Sequence, residues 1–194
     1  DIIPWLSPDW VLDMATQTLT RGRIAPPRLQ LQIRRCDRDM WPLFRRHHYL
    51  SGNLHRAARC YLGSIESRPA VFTAVLPFPH PKRPGWREHR LVCLPDFQGI
   101  GIGAAMSAYI ASLYVATGKP YFSTSGHPAV VQSRANSPLW KMIRKPGLAS
   151  RCGKAGAEKT GMRKTLSEGR FTAGFEYVGA GKLTEAEAFG VAVG

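Results

Sequence analysis

The stretch Pro95-Asp96-Phe97-Gln98-Gly99-Ile100-Gly101-Ile102-Gly103-Ala104 decides how the rest of the chain is read. Glycines at alternate positions 99, 101 and 103 permit positive φ and close backbone approach. A strand-like run, Arg87 to Leu94, precedes them, and an amphipathic helical pattern, Ala104 to Thr117, follows, with Met106, Ile110, Leu113 and Tyr114 on one face. A glycine turn that opens a helix presents unpaired N–H groups and the positive end of the helix dipole. The expected ligand of this turn is therefore a phosphate or pyrophosphate.

Two well-known phosphate loops are excluded. A dinucleotide loop of the G-x-G-x-x-G kind needs its third glycine one residue later and a βαβ unit around it, and a Walker A loop needs Gly-Lys-Ser/Thr. Upstream, Ala58 to Ile65 and Ala70 to Leu76 read as strands joined by Glu66-Ser67-Arg68-Pro69, which predicts a hairpin. Leu29 to Arg35 alternates apolar and polar residues as a half-buried strand does. Asp37 is placed to cap a helix that runs through Met40, Trp41, Leu43 and Phe44 to about Leu50. The four prolines between Pro77 and Trp86 predict an irregular loop. Downstream, Gly118 ends the helix, Tyr121 to Ser125 is a short strand, and His127 to Met142 is helical until Pro138. Residues 141–164 hold eight Lys/Arg and one acid, which predicts a basic loop; Phe171 to Val178 is a last strand. The order predicts an α/β domain with a mixed, mostly antiparallel sheet flanked by helices.

Gln98-Gly99-Ile100-Gly101-Ile102-Gly103-Ala104 resembles the Gln/Arg-x-x-Gly-x-Gly/Ala loop of the GNAT N-acyltransferases, and Cys93-Leu94-Pro95-Asp96-Phe97 resembles its usual lead-in. The resemblance covers roughly residues 29–180. It implies the GNAT fold and acetyl-CoA or another acyl-CoA as donor. The pyrophosphate would lie on the backbone of Gln98, Gly99, Ile100, Gly101, Ile102, Gly103 and Ala104. The pantetheine arm would pair with the strand at Leu91, Val92, Cys93 and Leu94, which also supplies the contact to the thioester carbonyl. The set His47-His48-Tyr49-Leu50, Arg87-Glu88-His89-Arg90 and Ser125-Gly126-His127-Pro128-Ala129 further resembles the acetyltransferase-like domain fused to ABC-type ATPases in bacterial and mobile-element proteins. Phage Mom-type DNA-modifying proteins are distant relatives of that group. On this view residues 1–28 form an arm or junction from a longer polypeptide, a reading that also fits a chain beginning with Asp1. Residues 181–194 form a tail.

The chemistry implied is direct attack of an amine on a thioester. It asks for a base, a carbonyl-polarising N–H and an acid for the thiolate. Glu88 and His89 lie where a base is expected. Because neighbours on a strand alternate faces, one of the two points into the cleft, and Glu88 is favoured. The tyrosine that usually serves as acid falls on Arg134 here, so Ser125, His127 or Tyr49 would take its place. His48 and Tyr49 border the acceptor side.

With 27 Lys+Arg against 13 Asp+Glu, the formal net charge is +14, the footprint of a polyanionic partner. Lys82, Arg83, Arg134, Lys141, Arg144 and Lys145 are the candidate nucleic-acid contacts, with Trp86 placed to stack a base. The acceptor is expected to be a nucleic-acid base or another macromolecular amine. The competing reading is a catalytically inactive module that binds nucleic acid or a partner inside an ATPase-containing protein. The cysteines Cys36, Cys60, Cys93 and Cys152 are dispersed, which predicts reduced thiols and a cytoplasmic setting, and no Cys/His spacing fits a zinc site. No apolar run approaches the roughly 18 residues a membrane helix requires.

Overall fold

The structure is a computed structural model that describes residues 10–21, 29–48, 53–148 and 171–191. A seven-stranded sheet runs in the order β3-β4-β5-β6-β7-β9-β8. Its strands are β3 (Gln32–Cys36), β4 (Arg59–Ile65), β5 (Arg68–Phe78), β6 (Gly85–Cys93), β7 (Tyr121–Ser125), β8 (Trp140–Leu148) and β9 (Phe171–Tyr177). Every pairing is antiparallel except that of β6 with β7. A separate hairpin, β1 (Trp10–Asp13) with β2 (Thr18–Arg21), lies within the expected N-terminal arm.

Two helices cover opposite faces. α2 (Ile102–Val115) packs its Met106, Ile110, Leu113 and Tyr114 against Tyr61, Val71, Val75, Trp86, Tyr121 and Phe175. All four of those helical side chains are fully buried, as their spacing predicts. The other face, over β4 and β5, is covered by α1 (Trp41–Arg45) through Trp41 and Phe44 against Leu62, Phe72 and Ala74. α3 (Pro128–Ala135) follows β7, and α4 (Leu183–Ala188) packs beside α2.

Several expectations are corrected. β5 and β6 extend into the proline-rich segment, so the loop shrinks to residues 79–84. Pro77 pairs with Trp86, whose N–H turns away to the carbonyl of Pro120 at 2.8 Å. Pro77 thus occupies a position where the pairing with β6 asks for no N–H, and no bond of that ladder is lost. Trp86 is no base-stacking platform. It is buried against Tyr114, with ring centroids 4.8 Å apart, and its Nε1 donates to Thr117 Oγ1. The first helix is a single 3-10 turn at Arg38–Met40 followed by the short α1, and Asp37 makes no side-chain cap.

Lys141, Arg144 and Lys145 lie on a strand, not in a loop. β8 is the outermost strand, anchored by buried Trp140 against Tyr121 and Tyr177. Charged residues on an edge strand deter further pairing, and Pro146 falls at the register irregularity between Arg144 and Gly147. The supposed tail is part of the fold. Ala186 and Val191 are buried, and Phe189 meets the rings of Tyr61 and Tyr109.

Candidate active site

The sheet comes apart in its middle. β6 and β7 pair at only two rungs, Trp86 with Tyr121 and Arg87 with Phe122, while β6 runs on to Cys93 beside β5. Leu94 N–H donates to Ala70 O at 2.9 Å. Antiparallel alternation then turns the N–H and C=O groups of Leu91 and Cys93 toward the gap. The Cys93 carbonyl confirms this direction, because Gln98 Nε2 donates to it at 3.0 Å.

The glycine turn stands at the mouth of the gap. Pro95–Phe97 forms a 3-10 turn, and Gly99 and Gly101 take φ of +82° and +86°. A Cβ at either would meet nothing within 4 Å, so the space in front of both is open. Gly101 is the residue before the helix, and α2 begins at Ile102, two residues earlier than its periodicity suggests. Its first N–H groups, Ile102 to Ala104, therefore lie beyond the reach of intrahelical bonding. Gly103 serves a different purpose: a Cβ there would sit 3.0 Å from Cys93 Sγ, so this glycine lets the helix approach the strand.

Where the backbone ladder stops, side chains continue it. Glu88 and Ser123 occupy the rung after Arg87 and Phe122, and Ser123 Oγ donates to Glu88 Oε2 at 2.9 Å. Arg134, from α3, donates to the same carboxylate oxygen at 2.6 Å and also to Ser123 and Ser107. Ser107, from α2, donates to Glu88 Oε1 at 2.7 Å. The guanidinium lies over the Trp140 ring, 4.6 Å from its centre. Both partners are buried, with side chains 4% and 7% exposed for Arg134 and Glu88. Arg134 is therefore not a phosphate contact. Glu88 is not an accessible base, because its carboxylate is spent on one guanidinium and two hydroxyls.

His89 faces the other way. The register shifts between Ala74 and Val75, which leaves His89 as a bulge. Its Nε2 accepts the His55 N–H at 3.2 Å, and the two rings meet edge-on. Burial, followed by the charges of Arg90 and Arg87, pushes its pKa down to about 3, so the ring is neutral at pH 7. His48 lies on the same side, edge-on to Trp41. Tyr49 falls outside the described residues. Near α1, Arg38, Trp41, Arg45 and Asn53 line a hollow of about 460 Å³. Ser125 Oγ, at the end of β7, accepts the N–H of His127, the residue that precedes α3. Among the described residues no group of His, Cys, Asp or Glu is arranged to hold a metal.

No protein-family model and no curated protein matches the sequence. Solved structures do match the fold. The ribosomal-protein-S18-alanine N-acetyltransferase from Escherichia coli aligns over 76% of this chain and 93% of its own, with a TM-score of 0.51 and 11% identity. The IAA acetyltransferase from Bacillus cereus aligns over 76% and 99%, with a TM-score of 0.51 and 12% identity. A Bacillus subtilis acetyltransferase solved in complex with CoA aligns over 77% and 98%, with a TM-score of 0.51 and 8% identity. The chain has the GNAT fold.

Within this GNAT fold, strand, glycine turn and helix follow one another in the order expected from the sequence. The sequence missed Ser107, Ser123 and His55, whose roles come from contacts between distant elements. Of the basic candidates, Arg83 binds both carboxylate oxygens of Glu176, and Arg144 donates to Thr172 Oγ1. Lys82, Lys141 and Lys145 are exposed. No helix among the described residues is long and apolar enough to cross a membrane.

Proposed function

We propose that the chain is an acyl-CoA-dependent N-acyltransferase, with acetyl-CoA as the simplest donor and a nucleic-acid base or another macromolecular amine as acceptor. The observation that carries this reading is the parting of β6 from β7 beside an open glycine turn. The residues present fit such a donor. Backbone N–H groups of Gln98 to Ala104 would hold the pyrophosphate at the start of α2. The outward N–H and C=O groups of Leu91 and Cys93 would pair with the amides of the pantetheine arm, and an N–H of the Leu91–Leu94 segment would polarise the acyl carbonyl. When bound, acetyl-CoA supplies an activated acyl thioester.

Among the described residues, neither of the two expected bases is strong and accessible. Glu88 is withdrawn into an ion pair, and His89 is held neutral with its Nε2 already occupied. Ser125, His127, His48 and Tyr49 remain the candidates for moving a proton. This poverty supports a weakly basic acceptor. A lysine, with an ordinary pKa of about 10.4, must be deprotonated before it attacks. The exocyclic amine of a nucleobase is already neutral at pH 7.

One observation favours a second reading. Arg134, at the position of the usual thiolate acid, is committed to Glu88, Ser123 and Ser107. A GNAT-fold module without catalysis, binding nucleic acid or a partner within a polypeptide that contains an ABC-type ATPase, would carry such a residue without loss. Calorimetry with acetyl-CoA separates the two. Binding by the wild type, abolished in Gly101→Glu, is expected for the acyltransferase. An undisturbed affinity in Gly101→Glu would remove the glycine turn from the donor site, and no binding by the wild type would leave the module reading.

A further inference from the structure

The half-sheet built from β6, β7, β9 and β8 turns Trp86, Glu88, Tyr121, Ser123 and Phe175 toward α2 and α3. Its other face is uncovered by any described helix, since α1 sits over β4 and β5. Cross-strand register sets Arg87, Phe122, Glu176 and Lys141 in one row on that open face. Neighbouring strands lie about 4.8 Å apart, so the row spans about 14 Å. Phe78 meets Phe122 edge-on at 5.4 Å, and His80 stacks on Phe78 at 5.6 Å. The Arg83 guanidinium lies 5.5 Å from the Phe122 ring centre while it neutralises Glu176, the row's one carboxylate. Among the described residues no carboxylate pairs with Arg87, Lys141 or Arg144. In the next row Gly174 stands between Thr124 and Arg144, and the Arg144 side chain lies across it, with Nε 3.5 Å from where a Cβ would sit.

We propose that this face binds a single-stranded polynucleotide, with bases stacked on the Phe78–Phe122 cluster and phosphates held by Arg87, Lys141 and Arg144. Stacking rings interleaved with unspent cations on a rigid platform suit a strand whose bases are exposed. A duplex hides those π-faces. An acidic protein would use the cations and leave the rings idle. A lipid surface calls for apolar side chains that protrude, whereas Phe78 and Phe122 are half-buried in the sheet face. Strand binding stands without acyl transfer; the use of the bound strand as acceptor rests on the reading above.

The test is fluorescence anisotropy of the full chain, without coenzyme, against a labelled single strand of about ten nucleotides. The same sequence as a duplex and vesicles of phosphatidylserine with phosphatidylcholine serve as the other probes. The single strand is expected to bind tightest. Phe122→Leu, which keeps an apolar side chain in the sheet, is expected to weaken it about 5- to 150-fold, the value of one stacked base. Lys141→Gln with Arg144→Gln is expected to reduce the slope of log affinity against log salt by about 1.4. Equal affinity for the duplex, indifference to Phe122→Leu, or preferential vesicle binding would each overturn the proposal. Acetyl-CoA calorimetry on the same preparations keeps the two readings apart: a wild type that binds the strand but not acetyl-CoA refutes acyl transfer alone, and the converse refutes the surface alone.

Discussion

Glu88 and Arg134 are 46 positions apart in sequence and 2.6 Å apart in space. Nothing local in the sequence announces the contact. The one available sign is negative: where the pattern this sequence resembles has a tyrosine, this chain has an arginine, and a buried arginine demands a counter-charge. Two charges taken out of water gain little net stability as a pair, but either one alone is costly. Arg134→Met is therefore expected to lower stability by about 3–5 kcal/mol, because it leaves Glu88 buried and uncompensated. Glu88→Leu combined with Arg134→Met is expected to recover most of that loss. Urea unfolding of the single and double variants measures both. A double variant no more stable than Arg134→Met would show that the serines, and not the arginine, set the cost. Gly99 and Gly101, by contrast, were legible residue by residue, since their spacing and the helix after them fix the local geometry.

At the scale of elements, the strands and helix around the glycine turn were readable because their periodicities are strong and uninterrupted. β8 was not. Its charges and Pro146 resemble a loop, yet those same features are what an outermost strand carries. Pro77 misled for a related reason, since proline breaks a strand only where its N–H is required. α4 was missed because six residues carry too little periodicity to show. Its value lies in anchoring. Lys182 N–H donates to Ser112 O at 3.1 Å, and Val191 N–H closes onto Ala186 O at 2.9 Å. Phe189→Ala removes the ring that meets Tyr61 and Tyr109 and is expected to cost about 2 kcal/mol, less than a fully buried phenylalanine because Phe189 is half-buried. Thermal or urea denaturation checks this. An unchanged midpoint would make the C-terminal segment an ornament on the fold.

At the scale of the whole molecule, the order of elements pointed to the mixed sheet that the structure has. The net charge of +14 could be counted from composition. Where the charge is displayed was not accessible, since it depends on which face each strand presents after the bulge at His89. The same bulge returns Leu91 and Cys93 to the α2 side while leaving their backbone amides aimed into the gap. A sheet with an unpaired edge in its interior has an unusual signature in solvent. Along β6, amides that point to β5 are sheltered, and those that point to the gap meet water. Deuterium uptake by the free protein is thus expected to alternate, fast at Leu91 and Cys93 and slow at Val92 and Leu94. The alternation should vanish when any molecule lays a peptide-like arm along that edge. β6 then acts as its own reporter: two amides among their protected neighbours tell whether the gap is open or filled, without knowledge of what fills it.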